Sequence, residues 1–126
     1  MMTQVKNALN WFEICATDFD RARRFYETIF DEKLVDTAMP GGQMAMFPFD
    51  QEAGVGGAIT KMENCTSPGA RTIAYLNVEG RLDAVVERTT AAGGKVLQPR
   101  MAIPPHGFIA LIEDSEGNVV GLHSLS

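Results

Sequence analysis

The sequence predicts an α+β fold: two βαβββ modules forming a curved, open barrel-like mixed sheet, with helices on the outer face. Three observations carry this expectation. The first is a repeated turn and strand. Asp50-Gln-Glu-Ala-Gly-Val-Gly-Gly-Ala-Ile59 is echoed by Asp114-Ser-Glu-Gly-Asn-Val-Val-Gly-Leu-His123, with Asp50, Glu52, Val55 and Gly57 falling on Asp114, Glu116, Val119 and Gly121. The second is that the front of each half also aligns: Trp11 falls on Ile73, Glu13 on Tyr75 and Lys33 on Lys95. The third is geometric. Two helices cannot bury both faces of eight strands, so one sheet face is covered by helices and the other curls around a cavity.

The elements follow in order. Leu9–Ala16 alternates as a strand, with Trp11, Glu13 and Cys15 on one face and Phe12 and Ile14 on the other. Thr17 reads as a helix N-cap, with Asp20 three residues on. Phe19, Ala22, Phe25, Tyr26, Ile29 and Phe30 recur at helical spacing and form a stripe that packs on the sheet. Lys33–Met39 is a short strand and Pro40-Gly-Gly42 a turn. Gln43–Phe49 and Val55–Met62 are strands on either side of the Asp50 turn. Glu63–Ala70 holds Asn64, Thr66, Ser67, Pro68 and Gly69, and reads as the linker.

The second half repeats the order. Arg71–Val78 is a strand, with Ile73, Tyr75 and Asn77 on one face. Arg81–Ala92 is a helix with Leu82, Val85, Val86 and Thr89 inward, stopped by Gly93-Gly94. Pro99 confines the extended Lys95–Ile103 to an edge or a bend. Pro104-Pro105-His106-Gly107 is a stiff loop before the strands Phe108–Glu113 and Asn118–Leu125. The expected organisation is one domain over residues 1–126, with module one about 7–62, a linker at 63–70 and module two about 71–126.

Composition narrows the function. An apolar fraction of 45% is that of an ordinary globular protein. A formal net charge of −5 excludes the concentrated basic face that nucleic acid requires. The cluster Arg21, Arg23 and Arg24 reads as a solvated helix face. No apolar run reaches the length of a membrane span, and the first residues lack the apolar core of a signal peptide, so the cytoplasm is the expected location. Cys15 and Cys65 form neither a disulfide framework nor a CxxC pair, and Cys15 is expected to be a small buried apolar residue.

Three groups of residues carry a resemblance. They are Asp18-x-x-Arg21-Ala22-x-x-Phe25-Tyr26-x-x-x-Phe30 after the first strand, Ala92-Gly93-Gly94-Lys95-Val96 after the second helix, and Asp114-x-Glu116-Gly117-Asn118 before the last strand. With the repeat, they make the chain similar to the vicinal oxygen chelate superfamily of glyoxalases, bleomycin-resistance proteins and extradiol dioxygenases. The resemblance implies paired βαβββ modules, an open cavity and frequent homodimers. It also implies a divalent metal, held by one ligand from the first strand and one from the last strand of each module. Carried over, those positions are Trp11, Gly57, Ile73 and Gly121. None has a side chain able to bind a metal, nor do their neighbours Asn10, Phe12, Gly56, Ala58, Thr72, Ala74, Val120 and Leu122 supply an imidazole or carboxylate. No cofactor and no metal are therefore expected.

The inferred cavity face keeps other chemistry. Glu13 and His123 could act as acid and base on a carbonyl compound, or with Tyr75 form a displaced metal site; the plainer reading is a hydrogen bond that satisfies both. Trp11, Phe47, Ile59, Ile73, Tyr75, Asn77, His106 and Gly121 are the expected ligand-binding positions. Trp11 either fills the former metal pocket or stacks on a ligand. Three functions stand side by side. One is a metal-independent binder of a small organic molecule. Another is a lyase or isomerase using Glu13 and His123. The third is an interaction domain with a vestigial pocket.

Overall fold

A computed structural model describes residues 6–39, 41–63 and 71–126. Pro40 and most of the expected linker lie outside the described residues. The chain divides into two compact units. One is Trp11–Ile73; the other takes the residues up to Asn10 together with Ala74–Ser126. Both combine a helix with four strands, as the α+β expectation requires.

The first unit contains β1 (Leu9–Cys15) from Trp11 onward, α1 (Phe19–Phe30), β2 (Val35–Thr37), β3 (Gln43–Met46) and β4 (Gly56–Lys61). Its strand order is β2-β3-β4-β1. β1 runs parallel to β4, pairing Trp11 with Gly56 and Glu13 with Ala58. The other two pairs are antiparallel and join Val35 with Met46 and Ala45 with Ile59. The parallel pair needs a long crossover, and α1 provides part of it.

Asp18, and not Thr17, caps α1: its carboxylate accepts the Arg21 N–H at 3.0 Å. The helix stops at Asp31, which takes the left-handed conformation at φ 52°. One stripe of α1 is buried. Phe19 packs with Leu34, Ala45 and Ile59, and Ile14, Ala22, Tyr26 and Phe47 close around them. Phe25, Ile29 and Phe30 remain more than half exposed, so the expected stripe is wider than the face that packs.

Behind α1, Glu27 organises the turn into β2. Its carboxylate accepts the Leu34 N–H at 2.8 Å and the Arg23 Nε–H at 3.3 Å. Arg23 also donates to the Leu34 carbonyl and pairs with Asp36. The Leu34 amide, and next the guanidinium and Lys33, hold the Glu27 carboxyl below its ordinary 4.5, outweighing the opposing desolvation.

The second unit contains β5 (Thr72–Asn77) from Ala74 onward, α2 (Leu82–Thr89), β6 (Lys95–Ala102), β7 (Phe108–Glu113) and β8 (Val119–Ser124), in strand order β5-β8-β7-β6. β5 and β8 are parallel, with Tyr75 opposite Gly121 and Asn77 opposite His123. Leu82, Val85 and Val86 of α2 pack on Val78, Ala110 and Leu122. β6 is the last strand in this order, and its register slips twice along β7 around Gln98 and Pro99. Proline has no N–H to give to a ladder, which is why it sits there. Arg100 reaches back to Asp83 at 3.3 Å and lies 3.8 Å above the Phe108 ring. No helix among the described residues is long and apolar enough to cross a membrane.

Two predictions follow from these cores. Leu82→Ala and Ile59→Ala each remove a fully buried side chain and will cost about 2–5 kcal/mol in urea unfolding. Glu27→Gln will lower Tm at neutral pH. Because the folded pKa of Glu27 is depressed, its contribution is complete above the unfolded value and fades as pH falls through the folded one. The Tm gap between wild type and Glu27→Gln should therefore close as pH drops below 4.5. A gap that stays constant into acid would remove the carboxylate from this role.

Candidate functional site

Helix packing fixes which strand residues share a face. Ile14, Ala45, Phe47 and Ile59 pack beneath α1. Alternation then turns Trp11, Glu13 and Cys15 of β1 to the opposite face, with Met44 and Met46 of β3 and Gly56, Ala58 and Thr60 of β4. Trp11 and Glu13 are joined: the indole Nε1–H donates to Glu13 Oε2 at 3.1 Å. Phe49 completes the group. Its ring covers Gly56, where any Cβ would strike it, and meets Trp11 at 6.0 Å between centroids and 73° between planes. The glycine makes room for the ring.

This assignment moves two expected ligand-binding residues. Phe47 and Ile59 point into the α1 core, Ile59 fully buried and Phe47 against Phe12 and Tyr26. Gly57 shares their face and is roofed by the Phe12 ring. The Asp50 and Asp114 turns do resemble each other: each Asp Oδ1 accepts backbone N–H groups from the residues that follow. The strands after them are out of phase by one residue. Gly57 faces its helix, whereas Gly121 faces away from α2, and a slip of one exchanges the faces of a strand.

In the second unit, Leu122 packs under α2, so Gly121 and His123 occupy the opposite face. Tyr75 is buried with its ring over Gly121. Asn77 donates to the Asn7 carbonyl at 3.1 Å and accepts the Glu79 N–H at 3.1 Å. Ile73 is half-buried at the end of the first unit. His106 is exposed, and its carbonyl oxygen lies 2.6 Å from His123 Nε2. The Asn10 side-chain amide lies 2.9 Å from His123 Nδ1. A carbonyl only accepts and an amide nitrogen only donates, so His123 is the neutral Nε2–H tautomer with both nitrogens engaged. Glu13 belongs to the first unit and His123 to the second.

Asn10, Phe12 and Phe49 were not among the expected site residues. Phe49 stands beyond the end of β3, where alternation no longer assigns a face, and Asn10 carries no periodic signal. Cys15 is half-buried and is not a free thiol, in contrast to the buried apolar residue expected; Cys65 lies outside the described residues. Two open depressions, of about 490 and 480 Å³, lie elsewhere. One runs along Arg23, Asp36 and Gln43, the other along Arg81, Asp83 and Arg100, and neither includes an expected site residue.

The family's divalent metal does not fit these residues. Trp11, Gly57, Ile73 and Gly121 offer no donor, and aromatic rings occupy the space above both glycines. Among the described residues no three His, Cys, Asp or Glu side chains gather in one place.

Two βαβββ units, each with a parallel first and last strand, define a class of paired-module α+β proteins. Residues 8–122 match the Glyoxalase/Bleomycin resistance protein/Dioxygenase superfamily, and the chain belongs to that family. A putative glyoxylase of Mycobacterium bovis is 32% identical over 117 residues, which are 90% of this chain and 44% of that protein. The chain thus spans less than half the length of this relative and of its Mycobacterium tuberculosis counterpart. A glyoxylase-like domain-containing protein of Didymella fabae is 33% identical over 119 residues, covering 87% of this chain and 88% of its own. Among solved structures, methylmalonyl-CoA epimerase from Mycobacterium tuberculosis has a TM-score of 0.67 at 18% identity, covering 100% of this chain and 93% of its own. A hypothetical protein from Bacillus halodurans has a TM-score of 0.68 at 12% identity, covering 95% of both chains. At such identities the structural likeness is one of fold.

The roofed glycines make a direct prediction. Gly57→Ala and Gly121→Ala will each lose about 1–3 kcal/mol in urea unfolding, because a methyl group must displace Phe12 or Tyr75. Unchanged stability in Gly121→Ala would show that Tyr75 does not rest on that strand.

Proposed function

We propose that this chain binds a small organic molecule on the strand faces turned away from its helices, without the family's metal. The observation that carries this reading is the Trp11–Glu13–Phe49 group: two aromatic rings and a carboxylate on a face that its own helix does not cover. A few placed polar atoms among apolar walls suit an organic ligand. The fold is shared by proteins of differing activity and so does not choose the substrate.

Catalysis by Glu13 and His123 is the weaker reading. His123 gives its proton to the His106 carbonyl and its lone pair to Asn10, so it must break one of these bonds before it can serve a substrate. An interaction domain with a filled pocket is weaker too, because Trp11 is bonded to Glu13 on its own strand and half-buried.

Trp11 is the only tryptophan of the chain, so its fluorescence reports on this face alone. A compound that binds will change the emission saturably and raise Tm by about 10 °C at a hundredfold excess over Kd. A broad library that moves neither signal defeats the proposal. A bell-shaped rate profile abolished by both Glu13→Gln and His123→Ala would instead establish the lyase or isomerase reading. Elemental mass spectrometry should find divalent metal far below one ion per chain, with Tm unmoved by EDTA. Stoichiometric, tightly held metal would reverse the donor argument.

A further inference from the structure

The outer side of α1 is apolar along its middle. Phe25, Ile29 and Phe30 are more than half exposed, and Phe25 and Phe30 both meet the Tyr26 ring, so these exposed rings continue outward from the core. Arg21, Phe25 and Ile29 follow one another at four-residue spacing and stand in one row along the helix. Single exposed apolar residues need no account, but a contiguous patch on one helix marks a surface that meets something.

The charges of α1 are ordered against its dipole. Carboxylates are favoured near a helix N-terminus and cations near the C-terminus. Here the exposed arginines, Arg21 and Arg24, stand in the first two turns. The last turn holds no basic residue, and the exposed Asp31 and Glu32 follow it. The other charges nearby are engaged locally. Asp18 caps the helix, Asp20 lines the depression beside Arg23 and Asp36, and Arg23 is held by Glu27 and Asp36. Lys33 is drawn to Glu27 at 3.8 Å.

A second copy laid antiparallel reverses the mismatch. With Phe25 and Ile29 at the centre, it brings Arg21 and Arg24 of each helix beside Asp31 and Glu32 of the other. The arginines also meet the negative end of the other helix's dipole. Parallel helices would set arginine on arginine and carboxylate on carboxylate. The face is thus complementary to itself in the antiparallel sense, as a two-fold contact requires.

We infer that the outer face of α1 is an isologous contact between two copies of this chain, with the helices antiparallel, Phe25 and Ile29 at its centre and Arg21 against Glu32 at each end. This contact is independent of the ligand proposal, because Trp11 and Glu13 lie on the opposite face of the sheet that α1 covers. Twelve residues make a helix about 18 Å long. A contact of that length falls short of the roughly 800 Å² per partner of a standard interface, so a Kd on the order of 10 μM is expected.

Sedimentation velocity of the intact chain, from well below to well above that Kd, tests the contact. The mass should climb from one chain toward two with concentration. Phe25→Asp should abolish this concentration-dependent step. Arg21→Glu and Glu32→Arg should each weaken it about tenfold, and the two changes in one chain should restore it. Parallel packing gives no such rescue. Both single changes suit the helix dipole, so the dilute variants should melt no lower than the dilute wild type, which separates lost pairing from lost folding. Should Phe25→Asp fail to fold, the charge reversals decide alone. A chain that stays single at high concentration overturns the inference, and so does association unmoved by Phe25→Asp. Association that Phe25→Asp weakens but the charge reversals do not overturns the antiparallel pairing. A single chain that sediments with anionic lipid vesicles would assign the face to a membrane instead.

Discussion

Everything described at the site depends on one constraint: the period of two along a strand, phased by the burial of one stripe on each helix. Phe19, Ala22 and Tyr26 need a sheet face to cover them, and Ile14, Ala45, Phe47 and Ile59 are what they find. Once that face is taken, Trp11 and Glu13 have no choice but the other. The same logic in the second unit sends Leu122 under α2 and leaves Gly121 and His123 opposite. The helix cores therefore decide which strand residues face away from the helices.

Glycine has an unusual part in this. Gly56, Gly57 and Gly121 stand on strands, where glycine ordinarily weakens the pleat. Here each lies under an aromatic ring: Phe49, Phe12 and Tyr75 respectively. Two of those rings belong to neighbouring paired strands, and the third comes from the segment that follows β3. A missing side chain on one strand thus admits a large one from next door. Gly57 and Gly121, two of the positions at which the resemblance implies metal ligands, both lie under such rings.

The polar groups that remain are held by local partners. Glu13 accepts from Trp11 two residues away on the same strand. His123 is clamped between the Asn10 amide and the His106 carbonyl, which ties the loop after β6 to the last strand. A ring so fixed in one tautomer is well suited to hold shape. Glu27 does comparable work outside the site, where it gathers the Leu34 amide, Arg23 and Lys33.

The sequence by itself determined the element order, the two-module plan and the family, because hydrophobic period and turn chemistry are local. Leu82, Val85 and Val86 announced an inward helix face, and Pro99 announced an edge; both stand as read. Trp11 and Glu13 sharing a face needed only alternation. What the sequence could not decide was phase. The Asp50 and Asp114 turns are near copies, yet the strands leaving them differ by one residue, and that single step carries Gly57 and Ile59 to the helix side. Nor could it find Phe49, whose place over Gly56 is set by packing beyond the strand's end, or Asn10, whose amide meets His123 only across the sheet. The Asn10–His123 contact joins residues 113 apart in the chain, and no local pattern encodes it. Packing chooses among the phases that the pattern leaves equal.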